Sequence, residues 1–207
     1  MNVVVNMQKV SKSFGDHVIF HQFDLTVADG EFVVVIGRSG SGKSTLLNIM
    51  GLLLKADRGD VELFGKKNVR PYSAMAEYLL RNKIGYLFQH FALIDEETVY
   101  DNLRLVVSGK DKQRQMDAAL DQVGLQGYGE KKIYQCSGGE QQRIALARLL
   151  LKPCELVLAD EPTGSLDHEN KMIVCHLLKK LNTDGKTIVV VTHDEELKQF
   201  ADRIISL

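Results

Sequence analysis

The string Gly37-Arg38-Ser39-Gly40-Ser41-Gly42-Lys43-Ser44-Thr45 carries the strongest chemical signal in the chain. Its spacing, G-x-x-x-x-G-K-[ST], suits the cradling of nucleoside triphosphate phosphates. Glycines let successive backbone N–H groups converge on an anion with no Cβ in the way. A helix beginning near Ser44 adds the positive end of its dipole. Lys43 can reach the β- and γ-phosphates, and the Ser44 hydroxyl can be offered to Mg²⁺. The plain alternative is a Gly/Ser turn ahead of a helix. The apolar run before the string and the helical pattern after it supply the context that a phosphate loop requires.

A second constellation is Leu156-Val157-Leu158-Ala159-Asp160-Glu161, an apolar run closed by two carboxylates. On a strand, successive side chains leave in opposite directions, so the two acids can do different jobs. Asp160 can hold Mg²⁺ through water while Glu161 faces an attacking water. That division suits hydrolysis of a phosphoanhydride. Taken alone, the pair could be a solvated strand end; a phosphate loop far upstream makes the chemical reading the stronger one.

The third is Cys136-Ser137-Gly138-Gly139-Glu140-Gln141-Gln142-Arg143. Ser137 and Glu140 form an S-x-x-E capping box ahead of an apolar-periodic helix. A good helix start would be the ordinary explanation. Two glycines in a first turn are poor helix formers, however. Close approach of an anionic ligand to the helix N-terminus explains them better.

These groups need elements to hold them. Val3 to Val10 and Val18 to Val27 are expected strands around the turn Phe14-Gly15-Asp16. Glu31 to Ile36 is a buried strand feeding the phosphate loop, and Ser44 to Leu54 the helix after it. Asp60 to Phe64 is a strand, about Ser73 to Arg81 a helix, and Ile84 to Phe88 another short buried strand. Residues 96 to 152 are mostly helical, in Thr98 to Val107, Lys112 to Val123 and Gly138 to Leu151. Strands return at Leu156 to Ala159, Thr187 to Thr192 and Arg203 to Leu207, with helices over Asn170 to Leu181 and Glu195 to Phe200. Apolar strands alternating with amphipathic helices imply an α/β fold, its parallel sheet covered on both faces. The helical block between strands suggests an inserted lobe.

The chain has 207 residues and a formal net charge of -1. One domain is expected, large enough to bury a core without disulfides or metals. Near-zero charge argues against nucleic acid as a partner, because such binding needs clustered Lys and Arg. Cys136, Cys154 and Cys175 match no zinc or redox spacing. An odd count fits a reduced cytosolic chain, and Cys154 and Cys175 are read as small buried hydrophobes. The N-terminus lacks a basic segment followed by a long apolar run, so no secretory signal is expected. The longest apolar runs are too short to span a bilayer. Service to a membrane would therefore go through a separate membrane protein.

The order of these motifs closely resembles the nucleotide-binding subunits of ABC transporters, over essentially the whole chain. The S-G-G-E-Q-Q-R string is highly specific to that superfamily. The resemblance implies a P-loop NTPase cassette with a mostly parallel core sheet, an N-terminal antiparallel β subdomain and an inserted helical lobe. Residues 1–207 form one ABC ATPase domain, with core and β subdomain in 1–89 and 155–207 and the helical subdomain in about 90–154. It implies an ATPase using ATP and Mg²⁺, working as a homodimer packed head to tail with ATP at the interface. The phosphate loop of one subunit then faces the signature helix of the other.

By the same resemblance, Phe14 looks like the aromatic that stacks on adenine. Ser39, Gly40, Ser41, Gly42, Lys43, Ser44 and Thr45 wrap the phosphates. Gln89 resembles the glutamine that senses Mg²⁺ and the attacking water and links the site to the membrane partner. Ser137 and Gly139 contact the γ-phosphate held by the other subunit. Asp160 looks like the metal-site aspartate, joined at the metal by Ser44 and Gln89, and Glu161 like the catalytic carboxylate. Ser165-Leu166-Asp167 resembles the loop connecting the two sites, and His193 the γ-phosphate switch histidine. Phe14 replaces a commoner tyrosine, keeping the ring face without the hydroxyl. Cys136 stands where leucine is usual. His17, His21, His90, His168 and His176 match no motif.

The stretch Gly40 to Leu54 is similar to the macrolide-export, lipoprotein-release and peptide- or bacteriocin-export subgroup. Ala92 to Asn102 has the look of its bacteriocin-export members. The expected setting is the inner face of the cell membrane, on integral permease subunits docked around Gln89 to Asp101. The rival is a soluble ABC ATPase acting on ribosomes or DNA; such proteins usually carry two cassettes or a long coiled-coil insertion. A P-loop kinase or GTPase is disfavoured by the signature string and by the lack of an N-K-x-D guanine reader.

Overall fold

A computed structural model describes residues 2–164 and 166–207. In chain order the elements are β1 (Val3–Phe14), β2 (His17–Ala28), β3 (Phe32–Ile36), α1 (Lys43–Met50), β4 (Arg58–Leu63), β5 (Lys66–Lys67), α2 (Ala74–Asn82) and β6 (Ile84–Leu87). They continue with α3 (Val99–Arg104), α4 (Lys112–Gln122), α5 (Gly138–Leu151), β7 (Leu156–Asp160), α6 (His168–Thr183), β8 (Thr187–Thr192) and β9 (Arg203–Ser206). Single 3-10 turns lie at Ile133–Gln135 and Glu195–Phe200.

Two sheets share the work. One is antiparallel, in the order β2-β1-β4-β5. The other runs β6-β7-β8-β3-β9, and every neighbouring pair in it is parallel. Burial of the parallel sheet on both faces explains why its strands are near-continuous apolar runs. The faces separate with period two. Phe32, Val34, Val157, Ala159, Ile188 and Val190 join a core with α3 to α6. Val33, Val35, Leu156, Leu158, Val189 and Val191 join a second core with α1, α2 and the antiparallel sheet. Register is set by this alternation, since a one-residue slip would exchange the two cores.

Parallel strands present all their C-terminal ends at one edge, which is where open α/β sheets bind ligands. The order here makes β6, β7, β8 and β3 consecutive. At those ends or just beyond them are Gln89, Asp160 with Glu161, His193, and the loop starting at Gly37.

Helix α1 is shorter than its periodicity suggests, ending at Met50 instead of Leu54. Gly51 closes it, and a Cβ there would lie 2.8 Å from the Tyr86 ring. Leu52 then takes a left-handed φ of 56°, and the N–H groups of Leu53 and Leu54 both turn back to the Asn48 carbonyl. Helix α3 is likewise confined to Val99–Arg104, started by a capping box between Thr98 and Asp101. Helix α6 begins at His168, earlier than Asn170, because the Asp167 side chain accepts the Asn170 N–H and caps it. All three cysteines are buried and unpaired.

Candidate active site

The phosphate loop joins β3 to α1. Gly42 sits at the N-cap of α1 with φ 96°, a backbone state that favours glycine. The site is tight as well: a Cβ on Gly42 would meet Ile19 Cγ2 at 2.4 Å and the Phe20 ring at 3.0 Å. Thus the β2 strand is pressed against the loop, and only a residue without a side chain fits between them. The Lys43 ammonium donates to the carbonyls of Gly37 at 2.8 Å and Arg38 at 3.1 Å, closing the loop on itself. Ser41 Oγ is buried and has no hydrogen-bond partner.

A cleft of about 790 Å³ opens over this loop. Ser39, Gly40, Gly42, Lys43, Ser44 and Thr45 line it from the phosphate loop. Gln89, Glu161, Gly164 and His193 line it from the other strand ends. Residues more than 100 positions apart are therefore brought to one cavity, as the motif order implies. The expected adenine aromatic stands apart from this lining. Phe14 is half exposed at the tip of the β1–β2 hairpin and is not among the lining residues; the Lys12 ammonium lies 5.2 Å from its ring centroid. The hairpin contributes His17 and Ile19 instead. His17 pairs across the hairpin with Phe14. No motif in the sequence singles out His17; its place follows from where the hairpin turns.

Glu161 is held from β8. Its Oε2 accepts from the Thr192 hydroxyl at 3.0 Å and from the His193 N–H at 3.2 Å, and His193 Nδ1 lies 2.9 Å from the same oxygen. Glu161 has φ 46°, a left-handed state uncommon for a residue with a Cβ. Its N–H donates to the Val191 carbonyl, so the strained turn is tied to the sheet. Strain at a residue so placed is characteristic of functional positions.

Asp160 ends β7 beneath the loop. Its Oδ1 is buried without a partner among the described residues. Burial pushes this carboxyl above its ordinary range, and the Glu161 charge adds to the rise against the Ser44 hydroxyl and the Lys43 ammonium. An orphaned carboxylate oxygen next to a serine hydroxyl is an all-oxygen, hard donor set, of the type suited to Mg²⁺.

The signature residues lie elsewhere. Ser137 caps α5, accepting the Glu140 N–H at 3.3 Å while Glu140 Oε2 accepts the Ser137 N–H at 2.7 Å. Tyr128 and Lys131 also donate to Glu140, at 2.6 and 3.3 Å. Neither Ser137 nor Gly139 lines the cleft. A Cβ on Gly138 would meet nothing within 4 Å, and one on Gly139 would only touch the Asn170 side chain. Packing among the described residues therefore does not explain the paired glycines. Helix α5 is joined to the loop after Glu161 by Gln142, whose buried amide donates to the Pro162 carbonyl at 2.8 Å. Arg148 of the same helix donates to the carbonyls of Phe91 and Ala92, just past Gln89. Ser165 of the expected connecting loop lies outside the described residues; Leu166 and Asp167 lead into α6.

The chain is similar to proteins of known type. The family described as ABC transporter (ABC_tran) matches residues 20–164. The macrolide export ATP-binding/permease protein MacB of Chlorobaculum tepidum is 42% identical, with 88% of this chain and 29% of that protein covered. MacB of Escherichia coli is 38% identical, with 100% of this chain and 33% of the relative covered. The chain thus spans about a third of the length of these curated relatives. Among solved structures, the ATP-binding cassette MJ0796, a dimer in a post-hydrolysis state bound to ADP and Pi, superposes with a TM-score of 0.89 at 38% identity, covering 98% of this chain and 94% of that one. The cbiO1 protein of Clostridium perfringens, part of the ABC transporter complex cbiONQ, gives 0.84 at 23% identity over 100% and 85%, a likeness of fold alone.

Proposed function

The chain belongs to the ABC transporter family as an ATP-binding cassette, and from that premise we propose that two copies hydrolyse ATP at shared sites to drive an export system in the cell membrane. One observation carries this reading. Lys43, Glu161 and His193 meet in one cleft, whereas Ser137 and Gly139 are absent from it and the space before Gly138 is open. The capped N-terminus of α5 suits an anion, and a second copy placed head to tail would supply one. A cyclic pair satisfies both subunits at once. The MJ0796 cassette is itself described as a dimer.

Within each site the backbone N–H groups of Ser39 to Thr45 and the Lys43 ammonium bind the phosphates. The residues present fit Mg²⁺, with Ser44, Asp160 and Gln89 as the groups that would hold it. When bound, Mg²⁺ neutralises charge on the β- and γ-phosphates. Glu161 orients the attacking water and takes its proton, while His193 fixes the Glu161 carboxylate and donates toward the γ-phosphate. Phe14 offers a ring face to adenine from the hairpin tip, beside His17 and Ile19.

No helix among the described residues is long and apolar enough to cross a membrane; in this reading the membrane-spanning part is supplied by permease subunits on the inner face. An apolar groove of about 370 Å³ beside the Gln89 loop, lined by Leu53, Leu80, Phe88, Ala92 and Leu105, supports docking there. Leu105, in that lining, is an exposed large apolar residue, as is Ile94 in the segment after Gln89, and such surface favours a protein partner. Export is the direction named for the MacB relatives.

The test is complementation. Lys43→Ala disables a phosphate loop, and Ser137→Arg blocks a signature helix. Each variant alone should be inactive. Mixed in equal amounts, they form heterodimers in which one of the two shared sites is intact, restoring about a quarter of wild-type ATP turnover. A mixture as inactive as its components would place the whole site within one chain and sink the shared-site reading.

A further inference from the structure

Behind the contact between Glu161 and His193 lies a second brace between the same two loops. Thr163, two residues after Glu161, is 1% exposed. Its hydroxyl donates to Asp194 Oδ2 at 2.9 Å. Asp194 is the residue after His193. Its carboxylate side chain is 11% exposed and also receives the Lys171 ammonium at 2.9 Å, from the second turn of α6. The other oxygen, Oδ1, accepts the Glu196 N–H at 3.0 Å. The Asp194 N–H in turn donates to Thr192 Oγ1 at 3.0 Å, and that hydroxyl donates to Glu161 Oε2. One chain of hydrogen bonds therefore runs from Lys171 through Asp194 and Thr192 to the Glu161 carboxylate.

We propose that Lys171 is a positioning residue for ATP hydrolysis, acting through Asp194 and Thr163 to hold the loop that carries Glu161 in register with the loop that carries His193. The proposal rests on the reading of Glu161 as the group that orients the attacking water. The need for a cation is physical. A carboxylate this shielded is costly unless paired and hydrogen-bonded. Asp194 can bind two loops together because Lys171 compensates its charge. Lys171 does not line the cleft; its tie to the site is the ion pair with Asp194. Without it Asp194 would turn toward water, releasing Thr163 on one side and the end of β8 on the other. A displacement of about 1 Å at a water-orienting group is enough to cost up to two orders of magnitude in rate. The phosphate loop lies on different elements and would keep its affinity.

The experiment is steady-state ATP turnover of the full chain with Lys171→Met, Lys171→Arg and Thr163→Val, with a melting curve for each. Lys171→Met should lower kcat on the order of tenfold and leave KM within about twofold. Lys171→Arg should recover most of the rate. Thr163→Val, nearly isosteric, should show the same split between kcat and KM, and the Lys171→Met, Thr163→Val double variant should be no slower than the slower single one. Should Lys171→Met fail to fold, the Thr163→Val result decides. A wild-type kcat in either folded variant, beside an active parent, overturns this proposal alone. A loss of rate that Lys171→Arg does not recover, or one that appears equally in KM, also overturns it. A parent chain unable to hydrolyse ATP overturns the reading of the site and this proposal together.

Discussion

His193 Nδ1 stands 2.9 Å from Oε2 of Glu161, across two strand ends that are 32 positions apart in sequence. The contact matters because it fills one side of the carboxylate. Oε2 also takes the Thr192 hydroxyl and the His193 N–H, and none of these three contacts uses Oε1. A carboxylate held by one oxygen can present the other to a water in the cleft.

Glu161→Gln keeps the shape, and its amide oxygen can accept the hydrogen bonds now made to Oε2, but it removes the base. ATP binding should persist, hydrolysis should fall by about 10²–10⁴-fold, and the protein should accumulate as an ATP-bound dimer. Phosphate release and size-exclusion chromatography with ATP check this together. Turnover close to wild type would remove Glu161 from the role assigned to it.

Gly42 and Gly40 both have positive φ, 96° and 80°, yet they should respond differently to alanine. At Gly40 an added Cβ meets nothing within 4 Å, so Gly40→Ala pays for backbone conformation, about 1–2 kcal/mol. At Gly42 the Cβ also collides with Ile19 and Phe20. Gly42→Ala should cost about 1–3 kcal/mol more and displace the start of α1, with loss of nucleotide binding. Urea unfolding midpoints and a nucleotide titration would measure both effects. Equal losses in the two variants would contradict the close packing of β2 on the loop.

Acid should loosen the cap of α5. The Tyr128 hydroxyl, joined by the Ser137 N–H and Lys131 and opposed by burial, holds Glu140 down from 4.5 to about 2. A carboxylate depressed in the folded state resists protonation there more than in the unfolded chain, so its contribution favours folding at higher pH. That contribution is complete above about 4.5, shrinks as pH falls, and is gone below about 2. Glu140→Gln, which cannot ionise, should flatten stability against pH within this window. Identical acid limbs in the two proteins would show that the Glu140 charge contributes nothing to the cap.

Much of the molecule was legible because its rules are local. The Gly37 to Thr45 spacing specifies a phosphate cradle, since backbone N–H groups a few residues apart do the binding. Helix α5 has the limits Gly138–Leu151 that its periodicity and capping box imply, because a cap is a contact three residues long. Period-two patterning marked the buried strands for the same reason. Where local signals misled, a distant contact intervened. Helix α1 stops early where Gly51 packs close to the Tyr86 ring and Leu52 turns left-handed, and His17 lines the cleft because the hairpin folds over the loop.

By itself, then, the sequence determined the short elements and the family they define, through the phosphate loop, the Asp160-Glu161 strand end and the capped signature helix, and it named the groups to which we propose to assign the chemistry. The tertiary structure alone decided how they meet. The order β6-β7-β8-β3 places four strand ends side by side. The packing of helices on that sheet brings Thr163 and Lys171 each to Asp194, and leaves Ser137 outside the cleft that holds Lys43. Sheet order is a property of packing between residues far apart in the chain, and no spacing along the chain encodes it directly.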